Sequence, residues 1–213
     1  MRLRQLTFNP YQENTYLLIG EGGEAWILDP GFASAAEREL FHAVVQEEGA
    51  QPVGIYLTHA HIDHILGVAW AAQRYKVPLF FHAAEQVVYD HAEEWATLMG
   101  LGYTPGPPAH AYLSEGQKLR LGSCEIEVLF VPGHSPGHVA FYLPQQKWVL
   151  SGDVLFRGSI GNYLLPLADY EALMHSLHQK LLRLPPDTTV WPGHGEPTTI
   201  EQELRSNPFL ASV

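Results

Sequence analysis

Residues 59–64 read His-Ala-His-Ile-Asp-His, which sets three imidazoles and a carboxylate within six positions. A neutral imidazole is a good ligand for zinc and neighbouring transition metals, and a carboxylate complements it. In a tight loop, such a run can turn its side chains toward two adjacent metal centres. Three further clusters follow: Val131-Pro-Gly-His-Ser-Pro-Gly-His138, Leu150-Ser-Gly-Asp153 and Trp191-Pro-Gly-His-Gly195. Each comes straight after an apolar stretch, and most turn on Gly or Pro. One such cluster carries little weight; four in one chain point to a shared metal site assembled at strand ends.

The chemistry such a site favours is hydrolysis. Two divalent ions can share a water, lower its pKa toward neutrality and stabilise the oxyanion formed when hydroxide attacks a carbonyl. No Ser or Cys nucleophile is then required. With Asp63, Asp153, a hydroxide and two metals, the formal charge is about +1, which favours an anionic or electron-rich substrate. Zinc is the expected metal, with iron or manganese as alternatives.

Those clusters need strands to carry them. RLRQLTF, NTYLLI and EAWILD alternate polar and apolar residues and predict a β-meander turning at Asn9-Pro10 and Glu21-Gly22-Gly23. After Asp29-Pro30-Gly31 the period lengthens. Ser34 and Glu37 form a capping box, Leu40, Phe41, Val44 and Val45 mark one helical face, and Gly49 ends the helix. VGIYLT predicts a buried strand with residues 59–64 in the loop at its end, followed by a helix from about Ile65 to Arg74. PLFFH is a further strand, and Ala83 to Met99 has helical spacing. Gly100 to His110 is rich in Gly and Pro and is expected to form a mobile lid or rim over the substrate groove. The second half predicts a hairpin turning at Gly122-Ser123, strands at VAFYL and KWVLSG, an amphipathic helix in ADYEALMHSLHQKLLRL and a last strand in TTVWPGHG. Two batches of strands, each followed by helices, suggest two packed sheets with helices outside.

The chain has 213 residues, 46% of them apolar and 16% charged, consistent with one folded domain over residues 1–213. A net charge of −11 without a basic cluster argues against nucleic acid as a partner. There is no apolar run of membrane-spanning length and no signal-peptide pattern, so the expected location is the cytoplasm. Cys124 is the single cysteine and reads as a buried hydrophobe. Among the remaining candidates, Asp29 and His138 suit outer contacts to the metal ligands. Tyr103, Tyr163, Phe156 and Met99 suit either a groove wall or core packing. His82 suits a packing role.

THAHIDH, PGHSPGH, SGD and PGHG, in this order, resemble the metallo-β-lactamase superfamily, and Asp29-Pro30-Gly31 matches its opening. The resemblance covers nearly the whole chain. It implies an α/β fold, a four-layer αβ/βα sandwich with the metal site at one edge of the sheets. It further implies that His59, His61 and His134 hold one metal, that Asp63, His64 and His194 hold the other, and that Asp153 bridges them. Asp63 and Asp153 would be the catalytic carboxylates.

PGHSPGH, the run from Gly152 to Gly161 and the tail GHGEPTTIEQELRSNPF are most similar to the glyoxalase II-like branch, the hydroxyacylglutathione hydrolase relatives. That branch implies cleavage of a small, anionic thioester or related ester by metal-bound hydroxide. Two features differ from it. Asn162-Tyr163-Leu164 stand where the branch carries Arg, a small hydroxyl residue and Asp, and the C-terminal helical domain that helps full-length glyoxalase II bind glutathione has no counterpart up to Val213. The carrier thiol therefore stays open. The same motifs also resemble mononuclear-iron persulfide dioxygenases, and a non-catalytic metal-binding scaffold is a third reading.

Overall fold

The structure, a computed structural model, describes residues 1–210. The N-terminal sheet has the order β1 (Arg2–Phe8), β2 (Glu13–Ile19), β3 (Glu24–Leu28), β4 (Gln51–Tyr56), β5 (Leu79–His82), β6 (Ala111–Leu113). Its first three strands run antiparallel, as the meander requires, and β3 to β6 run parallel. The second sheet joins β7 (Lys118–Leu121), β8 (Cys124–Phe130), β9 (Val139–Leu143) and β10 (Trp148–Gly152) to β13 (Thr189–Pro192) and β14 (Thr198–Thr199). Between them, β11 (Leu155–Phe156) and β12 (Ser159–Ile160) make a separate small hairpin.

The two-residue period of the strands builds three apolar layers. Tyr16, Leu18, Trp26, Leu28 and Tyr56 face Ile126, Val128, Phe141 and Leu150 across the sandwich. Trp26 stacks on Tyr56 with ring centroids 3.9 Å apart. The alternate residues Leu17, Ile19, Ile27, Ile55 and Leu57 face outward. There they pack under α1 (Ala35–Glu47), with α2 (Ile62–Ile65), α3 (Val68–Tyr75), α4 (Gln86–Asp90) and α5 (Ala92–Leu98) adding to the same cluster. On the far side, Ala140, Val149 and Val190 pack with α6 (Tyr170–Gln179), followed by α7 (Ile200–Ser206). The layer order is helix, sheet, sheet, helix, the expected four-layer αβ/βα sandwich. No helix among the described residues is long and apolar enough to cross a membrane.

Several local expectations change. Leu40 is exposed, because Phe41, Val44 and Val45 already fill the buried face of α1. The helical run from Ala83 to Met99 breaks at His91, which leaves the helical region and bonds through Nδ1 to the Val87 carbonyl. The segment from Gly100 to His110 forms no regular element, but it lies against the protein. Leu101 and Tyr103 pack on the first core cluster, and Tyr89 donates to the Pro107 carbonyl at 2.9 Å. None of its residues lines a cleft at the site, so it is not the groove rim.

The capping box of α1 is formed as the sequence implies. Ser34 Oγ accepts from the Glu37 amide, and the Glu37 carboxylate accepts from the amides of Ser34, Ala33 and Asn9. Ser34→Ala should therefore lower stability by about 1 kcal/mol, read as a drop in the urea midpoint at unchanged slope.

Candidate metal centre

Each cluster singled out above lies at the carboxyl end of a strand, so the two sheets bring them to one edge. The segment after β4 carries His59 and His61, and the single turn of α2 carries Asp63 and His64. The loop after β8 carries His134, the turn after β10 carries Asp153, and the turn after β13 carries His194. Gly193 is required beside the last of these: a Cβ there would run into the Asp153 carboxylate and come within 2.8 Å of the His64 ring.

Ligand atoms of His59, His61 and His134 all lie within 4.8 Å of one another, and those of Asp63, His64 and His194 form a second such group. Asp153 stands between the groups. Its Oδ2 is 3.5 Å from His134 Nε2, 4.0 Å from His59 Nε2 and 3.4 Å from His194 Nε2, while Oδ1 is 3.5 Å from His64 Nε2. Asp63 Oδ2 is 3.2 Å from His194 Nε2. All seven residues that the sequence pointed to are brought together.

Three of the imidazoles have their outer nitrogen committed. His134 Nδ1 donates to the Asn162 carbonyl at 2.9 Å, and His194 Nδ1 donates to the Tyr11 carbonyl at 3.0 Å. His59 Nδ1 lies 3.0 Å from Thr58 Oγ1, whose own proton goes to Asp29 Oδ2 at 2.6 Å. Each bond turns Nε2 inward, the nitrogen a metal would take. His59 Nε2 and Asp153 Oδ1 are buried with no hydrogen-bond partner among the described residues. Buried polar atoms without partners are costly, and here they converge with nitrogens only 2.9 Å apart, His61 Nδ1 and His134 Nε2. The donor set fits two metal ions.

The electrostatics agree. Burial, then the neighbouring imidazoles, push His59 well below its ordinary pKa, and burial with His134 pushes His61 down to about 3. Burial also lowers His134. All three are held neutral, the form in which an imidazole can bind a metal. Burial opposes ionisation of Asp153, yet His64 and His194 hold its carboxyl well below the usual range; Asp63 is lowered against burial by the same two residues. Both carboxylates are thus ionised and concentrate negative charge where cations belong.

Asp29 acts through other residues. Its Oδ1 accepts from the Thr58 amide at 2.7 Å, and its Oδ2 lies 3.3 Å from His64 Nδ1. It therefore orients both His59, by way of Thr58, and His64. His138 stacks on His59 with centroids 4.7 Å apart and accepts from the Asp153 amide at 3.0 Å. His82 is remote from this work: it stacks on Phe130 and caps the turn at Ala84.

Two buried carboxyls were missed. Glu13 Oε1 is 3.9 Å from His64 Nδ1, and burial raises its pKa well above the ordinary value. Glu85 accepts from the amides of Ala60 and Gly137 and from Ser135 Oγ, tying the His59 loop to the His134 loop. The only sequence signal for Glu13 is a charged residue heading an otherwise apolar strand; Glu85 has none.

Two clefts meet at the cluster and share His134, Asp153, Asn162 and His194. One, of about 450 Å³, contains Phe156, Arg157, Ser159 and Glu196. The other, of about 370 Å³, runs between α5 and residues 165–167. Of the two roles open to them, Met99 and Phe156 line clefts, whereas Tyr103 is half-buried against the first core cluster and Tyr163 packs on Tyr170.

Residues 8–194 match the family profile of the metallo-beta-lactamase superfamily. The chain is 34% identical to hydroxyacylglutathione hydrolase GloC of Haemophilus influenzae, over 100% of this chain and 99% of that one. Among solved structures it is similar to the BLEG-1 B3 metallo-beta-lactamase, with a TM-score of 0.91 at 37% identity over 99% of this chain and 100% of that one. It is also similar to TTHA1623 in a di-iron-bound form, with a TM-score of 0.87 at 44% identity over 97% of this chain and 100% of that one.

Proposed function

Since the chain belongs to the metallo-beta-lactamase superfamily, we propose that it is a dinuclear-metal hydrolase that cleaves a thioester or related ester. The observation carrying this reading is the position of Asp153 between two complete ligand groups. His59, His61 and His134 would hold one ion, and Asp63, His64 and His194 the other, with Asp153 shared. When bound, the ions would supply an activated water and a Lewis acid for the developing oxyanion. The similarity to a di-iron-bound relative and to GloC supports the same reading.

The chain's own residues prepare the site. Thr58, Asp29, Asn162 and Tyr11 fix the ring orientations of His59, His134 and His194. Asp63 and Asp153 supply the negative charge, and their burial strengthens it. Hydrolysis breaks the carbon–sulfur bond and forms a carbon–oxygen bond, and the two protons of water end on the acid and the thiol. No oxidant is needed.

The test is thioester cleavage by zinc-loaded protein without oxygen, alongside oxygen consumption by iron-loaded protein given a low-molecular-weight persulfide, and turnover of a chromogenic β-lactam. Anaerobic thioester cleavage is expected. Oxygen uptake with no thioester cleavage under any metal would reassign the protein as a dioxygenase. Turnover of the β-lactam alone would reassign it toward the activity that BLEG-1's name describes. A folded, metal-loaded protein inert in all three would be a scaffold.

A further inference from the structure

The 370 Å³ groove has a composition that the reaction itself does not explain. Its walls away from the metal cluster are apolar: Tyr11, Ile62, Val88, Trp95, Met99 and Leu167, with neither lysine nor arginine among the lining residues. Three of these stay in solvent, Tyr11 at 43%, Met99 at 45% and Leu167 at 57% exposure. Large apolar side chains gathered at the mouth of a cleft mark a binding surface. Leu167 also takes φ 67°, a left-handed conformation that costs a leucine on the order of 1 kcal/mol or more. The strain is localised where the side chain forms the groove rim. Trp95 and Met99 approach from the opposite side, on and just after α5.

The second cleft differs. Beside Phe156 and Ile160 it holds Arg157, Ser159 and Glu196, with Arg157 ion-paired to Glu196. A departing thiolate carries charge, and an apolar groove without a cation would penalise it. The cleft that carries Arg157 is the compatible exit.

We propose that the groove between α5 and residues 165–167 is the acyl subsite, and that it takes an uncharged, apolar acyl arm of medium length or bearing a phenyl ring, with the thiol portion in the Arg157 cleft. The proposal rests on the thioester reading and adds the substrate class to it. It also relocates the anionic character expected of the substrate. Negative charge belongs at the reacting carbonyl and the thiol arm, and the acyl arm is selected by burial.

The experiment compares acetyl, butyryl and hexanoyl thioesters of one small thiol, and in parallel the binding of ketone isosteres in which methylene replaces the sulfur, followed by calorimetry on the metal-loaded protein. Burial of a methylene is worth up to about fourfold, so hexanoyl should exceed acetyl by at least about tenfold in both kcat/KM and affinity. Met99→Glu and Leu167→Glu should reduce that hexanoyl-to-acetyl ratio to about threefold or less. A flat series in the native protein overturns the proposal, as does a ratio untouched by both substitutions; if short thioesters are still cleaved, the hydrolase reading survives. Chain-length-dependent binding of the ketones without cleavage of any thioester would uphold the apolar subsite and sink the hydrolase reading.

Discussion

Asp153→Ala should reduce thioester turnover by about a thousandfold, whereas Asp29→Ala should cost about 10- to 100-fold. Asp153 lies between both ligand groups, within 4.0 Å of His59, His64, His134 and His194 nitrogens. Its loss removes the shared ligand and several kcal/mol of charge stabilisation, and each 1.36 kcal/mol is a factor of about ten. Asp29 touches no inward-facing nitrogen. It holds Thr58, which orients His59, and faces His64 Nδ1 from behind. Outer contacts of that kind are worth about 10- to 100-fold. Metal content separates the two: Asp153→Ala should fall below two ions per chain, and Asp29→Ala should still fill at raised metal concentration. Equal losses in turnover and metal would contradict the assignment.

The largest effect on stability should come from Glu85→Ala, about 3–5 kcal/mol. The Glu85 carboxyl is buried and accepts from two backbone amides and the Ser135 hydroxyl. Truncation strands these donors in the interior, where each unsatisfied group costs about 1–3 kcal/mol. Burial raises the Glu85 pKa even against these bonds. Glu85→Gln retains an acceptor oxygen and should recover part of the loss. Chemical denaturation of the metal-free proteins measures both; an alanine variant within 1 kcal/mol of native would remove the clamp from the account.

The seven residues at the centre were legible because their chemistry is concentrated. Imidazoles and carboxylates after apolar strands, beside Gly and Pro, leave a pattern that needs no partner elsewhere in the chain. The two-sheet arrangement was legible in the order of the elements, two batches of strands each followed by helices, although EAWIL and VAFYL are apolar on both faces and do not alternate. What stayed hidden depends on distant contacts. Glu85 ties a loop 25 residues before it to one 50 residues after it, and Glu13 meets His64 only once β2 lies beside the metal edge. The pairings of β6, β11, β12 and β14 involve two or three residues each, too few for a periodic signal. Residues 100–110 have the composition of a lid, but Leu101 and Tyr103 pack against the core, and the rim falls to Met99 and Leu167.

On the proposed reading, this edge holds two metal ions and needs both for hydrolysis. Titration of metal-free protein with zinc, following bound metal by elemental analysis and thioester cleavage in the same samples, tests it most directly. Saturation at two ions per chain is expected, with turnover rising as the second ion binds. Binding that stops at one ion or fewer under zinc, iron and manganese alike would contradict it.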